Sequence, residues 1–467
     1  MARVIICFST RLFLSFIFSL FFSLQLFAQT ERAPAYPLVT HDPYFSIWSF
    51  TDSLHTSPTR HWTGTPQSLI GMLEVDGLPY LFLGEVEGKF QSVLPASDEE
   101  DYSVQYTEEA PSSNWIEPNY DDRTWKRGAA PFGDNLSAQT RWLKRDLWVR
   151  RTFTIDDPNL AQLYLKIKHD DDGVVYLNGE KIYESGLKTS FDFKKISQPL
   201  KKGKNILAVH AVNTGGAAWL DFGIVKERKA PSQKVARAVQ KSVEVKATQT
   251  IYQFTCGKVD LSLTFTSPLL LNDLELLATP ISYVSASIQT NDGGTHKVQL
   301  YLGASTDIAV NAPSQTVAAQ TFQMPELSIL KAGTKEQPVL KKKGDDLRID
   351  WGYFYVAAPK SGNMRQYISS AAEAVQPFKT NAVISSNKKE GRSLFLNTVF
   401  SIGNVGSSAK EVYLMLGYDE PLSIEYFGQQ LKSWWKEDTT VTIESKLVKA
   451  AECSVVSHSM SNCTLRL

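Results

Sequence analysis

Hydrolytic chemistry needs a nucleophile or an activated water, a proton donor and a stabiliser of the developing oxyanion. Few residues of this chain are spaced to supply them. Ser407-Ser408-Ala409-Lys410 matches S-x-x-K, a Ser/Lys pairing that works when the serine opens a helix and the lysine follows one turn on. Here the motif lies between two strand-like runs, 395–402 and 411–418, that are predicted to form a hairpin, so the geometry is wrong. The chain contains no G-x-S-x-G, and its seven histidines show no H-E-x-x-H or other metal spacing. The pairs Asp121-Asp122 and Asp345-Asp346 are turn formers first. With no phosphate-cradling glycine loop and no cofactor motif, no metal and no cofactor is assigned, and the catalytic residues stay unassigned.

One group of polar residues stands out near the start. His41, Asp42, Arg60 and His61 lie among Trp48 and Trp62. In one reading His41, Asp42, Arg60, His61 and Trp62 form the polar lip of a cleft. In the other the aromatic rings are core and the polar groups cap turns, which is the usual duty of a buried polar side chain.

The elements that must position these residues are mostly strands. A stretch from Lys258 to Asn311 alternates apolar and polar residues through Val259, Leu261, Leu263 and Phe265. Further runs over 281–288 and 298–302 flank the turn Asn291-Asp292-Gly293-Gly294, which predicts an antiparallel meander. Asp76-Gly77 and Asn178-Gly179 mark two more hairpins. Leu347, Ile349, Trp351 and Phe354 predict a strand with a bulge at Gly352. Helical period comes late, with Ile424, Phe427, Leu431 and Trp434 on one face and Ile443, Leu447 and Ala451 on a second.

The chain has 467 residues, 49 basic and 49 acidic. That balance gives no electrostatic reason to expect nucleic acid or an anionic membrane as partner. Arg3 and Arg11 precede the apolar run Leu12–Phe27, and Ala28 follows, which predicts a secretory signal over 1–28. After its removal the product is expected to be exported to the periplasm, cell surface or medium, with no membrane segment. Cys256, Cys453 and Cys463 follow Cys7, an odd number without disulfide or zinc spacing.

Two resemblances rest on particular residues. Trp115, Asp121, Asp122, Trp125, Pro131 and Phe132, then the 171–179 segment, then Asn205 and His210, make residues 101–226 resemble the galactose-binding-like jelly roll appended to many glycoside hydrolases. That likeness implies a carbohydrate ligand, with Trp142 and Trp219 as platforms and Asp170, Asp171 and Asp172 as polar partners. Against it, an aspartate run shapes turns and tryptophans fill cores. Elsewhere PLVTHDPYFSIWS, RHWTG, SVEVKATQTIYQF, LTFTSPLL and YDEPLSIEYFGQQLKSWWK, over about 37–88 and 240–449, resemble the N-terminal β-sandwich region of the glutaminase A-like family.

Together these give an all-β chain: a β-sandwich in two parts, 33–96 and 233–420, with the jelly roll inserted in a loop. The family's α/α-toroid would begin at 421–452, and 453–467 reads as an aberrant tail, as from a frameshift. The resemblance implies an exported amidohydrolase that converts glutamine to glutamate and ammonia. This chain would be its non-catalytic N-terminal portion, packed against a toroid in cis and forming one wall of a cleft for a small molecule. Trp434 and Trp435 would then sit on an exposed, toroid-facing surface. A carbohydrate-binding accessory module is the alternative.

Overall fold

The computed structural model describes residues 33–85, 90–134, 138–158, 160, 162–227, 235–341, 347–360, 364–375, 388–436, 438 and 440–456. The signal-like segment, Asp345-Asp346 and residues after 456 fall outside them. The chain divides into two compact units, Met1–Tyr36 and Pro37–Leu467, and the second holds the sandwich and the jelly roll.

Strands dominate, and a β-sandwich carries an inserted jelly roll. One sandwich sheet runs in the order Ala236–Arg237, Leu78–Leu83, Leu69–Val75, His296–Ser305, Leu394–Val405, Met364–Ser370. The other has nine strands among the described residues, with Val259–Thr266, Ile281–Thr290, Lys410–Asp419 and Tyr353–Pro359 consecutive in its middle. Alternation decides which side chains point inward. Leu69, Leu83, Leu302 and Leu396 of the first sheet meet Phe265, Val284, Leu414 and Leu416 of the second around a cavity of only about 20 Å³. On the second sheet's outer face Met415, Tyr355 and Ile281 are covered by the helix Ile443–Val456 through Ile443, Leu447 and Ala451. Each fully buried Ile or Leu there stabilises by roughly 1.5–3 kcal/mol.

Four expectations need correction. The strand His296–Ser305 does not extend a meander; it pairs with Leu69–Val75 and Leu394–Val405, so the turn at 291–295 crosses from one sheet to the other. Likewise Leu394–Val405 and Lys410–Asp419 are no hairpin, because they lie in opposite sheets. The two crossings run side by side, joined by Thr290 N–H donating to the Gly406 carbonyl at 3.0 Å. The S-x-x-K sequence occupies the second crossing, with the Lys410 ammonium donating to the Ile402 carbonyl at 3.2 Å. Third, 424–431 is not helical. Ile424–Tyr426 and Gln429–Leu431 form a hairpin whose turn, Phe427-Gly428, has φ of 46° and 75°. Ile424 and Leu431 are cross-strand partners, which accounts for their spacing of seven. The predicted strand at 347–354 is also shorter, beginning at Tyr353.

The crossing at 291–295 is pinned by His296, whose Nδ1 lies 2.6 Å from Asp76 and Nε2 3.1 Å from Asp292. Hydrogen bonds to Asp76 and Asp292 raise the imidazole's pKa. A raised histidine pKa contributes stability that is complete below the unfolded value and lost as pH rises through the folded one. The melting temperature of the native chain should therefore exceed that of His296→Gln at about pH 6, with the gap closing by about pH 9. A gap independent of pH would show that the ring acts by packing alone.

The jelly roll occupies the path between Leu78–Leu83 and Ala236–Arg237. The returning strand pairs in parallel beside the departing one, Ala236 opposite Tyr80, so the insertion's two ends meet. Its two sheets, each of six strands among the described residues, enclose Phe132, Trp142, Leu165, Val209 and Phe222. Outside one sheet, Trp115, Trp125 and Tyr120 are fastened by the buried Arg150, which bonds the Trp115 and Glu117 carbonyls and Asp122.

Cys256 is wholly buried, and burial, with Asp260 adding, pushes its thiol up to about 12. A covered, protonated sulfur is unreactive. Aromatic disulfide reagents at pH 8 should leave Cys256 unlabelled in native protein and label it in denaturant, as read by peptide mass mapping. Native-state labelling within minutes would mean that the strand end opens freely.

Candidate functional site

His41, Asp42, Arg60, His61 and Trp62, close in sequence, lie on and beside the small sheet formed by Tyr36–Thr40, Ser46–Ser49 and Arg60–His61. Asp42 closes the turn between Tyr36–Thr40 and Ser46–Ser49 by accepting from Tyr44 N–H at 2.7 Å and Phe45 N–H at 2.9 Å. This sets Phe45 against Phe354 and Tyr418. The strand Arg60–His61 pairs with Ser46–Ser49, Ile47 opposite His61. Arg60 donates to the Gly64 carbonyl at 2.8 Å and tightens the turn after it. His61 is fully buried, and both its Nε2 and the half-exposed Trp62 Nε1 reach the Pro43 carbonyl, at 3.0 and 2.7 Å.

Residues outside the sequence-based set complete this cluster. Arg348 Nη1 donates to Thr63 Oγ1 at 2.9 Å, and Thr63 Oγ1 lies 2.9 Å from His61 Nδ1. A donor thus runs from Arg348 through Thr63 and His61 to Pro43, which assigns the ring proton to Nε2. Arg348 Nε also donates to the Asn311 carbonyl at 2.8 Å. Asp350, fully buried, accepts from Gln315 at 2.8 Å. Trp351 Nε1 donates to the Leu422 carbonyl at 2.7 Å and the Tyr418 hydroxyl to the Trp351 carbonyl at 2.8 Å. Glu420 accepts from Ser423 and Ser433 at 2.7 and 2.8 Å; burial pushes its carboxyl up against the pull of those two hydroxyls. The signal for Arg348 and Asp350 was present in Leu347–Trp351, where charged residues interrupt an apolar run.

Most of these polar groups bond to the backbone or to one another and stiffen the cluster. His41 differs. Its Nδ1 is buried with no hydrogen-bond partner among the described residues. Burial lowers its pKa despite the neighbouring Asp42 charge, so the ring is neutral at pH 7. A neutral imidazole can take a proton from a ligand, but no hydroxyl or thiol bonds to it among the described residues. Beyond this cluster the 424–431 hairpin exposes Phe427, 90 % open to solvent, and Trp434, in the turn that follows it, is 55 % exposed. Trp435, expected to be exposed as well, is buried against the helix instead.

In the jelly roll, Trp142 is fully buried, so its ring has no face open to a ligand. Trp219 is partly exposed, with the Lys168 ammonium 5.0 Å above its ring. Its carbonyl accepts from Asp170 N–H at 2.9 Å, so these two are neighbours. Asp171 instead closes the adjoining loop, taking Thr214 N–H and hydroxyl and Gly215 N–H. Asp172 is exposed at the start of the strand Asp172–Leu177.

Residues 248–462 match a family described as Domain of unknown function (DUF5127), and residues 24–95 one described as Domain of unknown function (DUF4964). A curated relative is Glutaminase A of Aspergillus oryzae (strain ATCC 42149 / RIB 40), 22% identical over 209 residues, which are 42% of this chain and 30% of that protein. The chain thus matches less than a third of that relative's length. Among solved structures, a glycosyl hydrolase family 2 member from Bacteroides cellulosilyticus DSM 14838 aligns with 58% of this chain and 34% of its own, at 10% identity and TM-score 0.23. A β-glucuronidase from Ruminococcus gnavus aligns with 62% of this chain and 46% of its own, at 12% identity and TM-score 0.24. Likenesses of that size carry no argument about function.

Proposed function

We propose that this chain is the β-sandwich portion of an exported amidohydrolase related to glutaminase A, and that it forms one wall of a cleft while other residues carry the reaction. The similarity to Glutaminase A carries this reading. The stiff cluster of His41, Asp42, Arg60, His61 and Trp62 is the wall, and the exposed 424–431 hairpin beside it supports a helical domain docked in cis. The DNA after the codon for Leu467 tests the second half: coding sequence for a helical domain is expected in one frame or another, and its absence overturns the docking. The first half is tested by incubating the purified chain with glutamine and measuring ammonia. Release at the level of the blank is expected. Saturable release, lost in His41→Ala, would place the reaction in this chain.

The second reading, a sugar site at the loop end of the jelly roll, is favoured by the pairing of partly exposed Trp219 with Asp170. Burial raises the Asp170 pKa, against the pull of the Asp171 N–H that its carboxylate accepts at 3.0 Å. Loss of glycan binding in Trp219→Ala would support it.

A further inference from the structure

A second cavity lies where the jelly roll meets the sandwich. It has a volume of about 820 Å³, within the ~300–1,000 Å³ of small-molecule sites. One wall is the edge of the jelly-roll sheet: Ser103 and Arg127 on the paired strands Ser103–Thr107 and Lys126–Ala129, with Gln139 beside them. The opposite wall is the end of the hairpin Val317–Gln323 and Leu327–Thr334, presenting Gln315, Glu336 and Lys341.

The walls are held in place before any ligand arrives. Arg392, on the sandwich, pairs with Asp101 and donates to the Ser97 carbonyl at 3.2 Å. Ser97 is itself anchored in the jelly roll, its hydroxyl 2.6 Å from Asp221. On the other wall Gln315 is fixed by donating to Asp350 and accepting from Asn311 and Ala312 N–H. Arg127, Gln139, Glu336 and Lys341 are exposed at the opening.

The lining selects a chemistry. Among the described residues, Ala129 and Pro338 are its aliphatic members and Tyr102 its one aromatic ring, which gives a peptide's apolar side chain little to pack against. Arg127, Lys341 and Arg392 face Asp101 and Glu336, and this near balance favours neither an anion nor a cation. Stacking is not offered either. One face of Tyr102 carries the Arg151 guanidinium at 3.4 Å, and Phe222 meets the ring edge-on at 6.0 Å. What remains is a set of planar donors and acceptors able to bridge adjacent hydroxyls.

We propose that this cleft binds a short neutral oligosaccharide, held by Arg127 and Gln139 on one wall and Glu336 and Lys341 on the other. The site is distinct from the Trp219 loop end and independent of the amidohydrolase reading. Calorimetry of the full chain with cellotetraose, xylotetraose, mannotetraose and maltotetraose tests it. At least one should give saturable heat. Arg127→Ala and Glu336→Ala should each weaken binding about tenfold, the scale of one lost charged hydrogen bond, with melting temperature unchanged. Trp219→Ala should bind as the native chain does. Silence with all four sugars, full affinity in the Arg127→Ala/Glu336→Ala double variant, or tighter binding of a galacturonate tetramer or a tetrapeptide would each overturn the proposal.

Discussion

Asp221→Ala is expected to destabilise the jelly roll by about 3–5 kcal/mol, the cost of removing one partner from a buried charged network. Asp221 is 2 % exposed, on the strand Trp219–Glu227. Its carboxylate accepts from Ser97 N–H at 3.1 Å, the Ser97 hydroxyl at 2.6 Å and the Tyr102 hydroxyl at 3.0 Å. Arg151 lies over Tyr102 and donates to the Phe222 and Pro95 carbonyls at 2.8 and 2.7 Å. Deleting the carboxylate leaves three donors in a dry site without their acceptor and the Arg151 guanidinium without its countercharge. Asp221→Asn keeps an acceptor oxygen and should cost less. Urea titration monitored by tryptophan fluorescence measures both, and an alanine variant within about 1 kcal/mol of the native chain would show that water enters and replaces the carboxylate. Because Ser97 leads to Asp101 and Arg392, the same variant should loosen the wall of the interdomain cleft.

Gly352→Ala is expected to cost about 3 kcal/mol or more, from left-handed backbone strain and overpacking together. Gly352 has φ of 80°, and an added Cβ would stand 2.4 Å from the Asp419 carbonyl oxygen and 2.8 Å from Glu420 Cα. Both obstacles are backbone, so neither can rotate aside. Gln337 grips the same residue, accepting its N–H at 2.7 Å and donating to its carbonyl at 3.0 Å. Gly403→Ala is the control. Its φ is 73°, but an added Cβ meets nothing within 4 Å, so only the strain of about 1–2 kcal/mol should appear. Equal losses in the two variants by thermal melting would mean that contact with Asp419 and Glu420 contributes nothing.

The sequence made the strands legible because alternation is imposed residue by residue. Val259, Leu261, Leu263 and Phe265 point inward as their spacing requires. Asn178-Gly179 also turns where it reads as a turn, Leu177 pairing with Glu180. Pairing partners were not legible. A polar loop of four or five residues serves a hairpin or a crossing equally well, and only the distant strand Leu69–Val75 makes His296–Ser305 change sheets. The error at 424–434 is of another kind: a spacing of seven joins one face of a helix and also joins Ile424 to Leu431 across a two-residue turn. At the candidate site, His41, Asp42, Arg60, His61 and Trp62 were visible as a local cluster. Arg348, Asp350 and Glu420 come to it from far along the chain; the charges in Leu347–Trp351 mark the first two as unusual, but nothing local says where they meet.

The position of the insertion also orders events during synthesis. The jelly roll spans a continuous length of chain, from the strand Phe90–Leu94 to Trp219–Glu227. Its contacts can therefore form as soon as that length has left the ribosome. The strand Leu69–Val75 has no such option, because its neighbour His296–Ser305 emerges more than two hundred residues later. Through that interval the earlier strand waits with an open edge, and closing the loop is the slow step for such distant pairs. The guest is thus built before its host, and its completed fold, by bringing its two ends together, shortens the effective loop that the host must close.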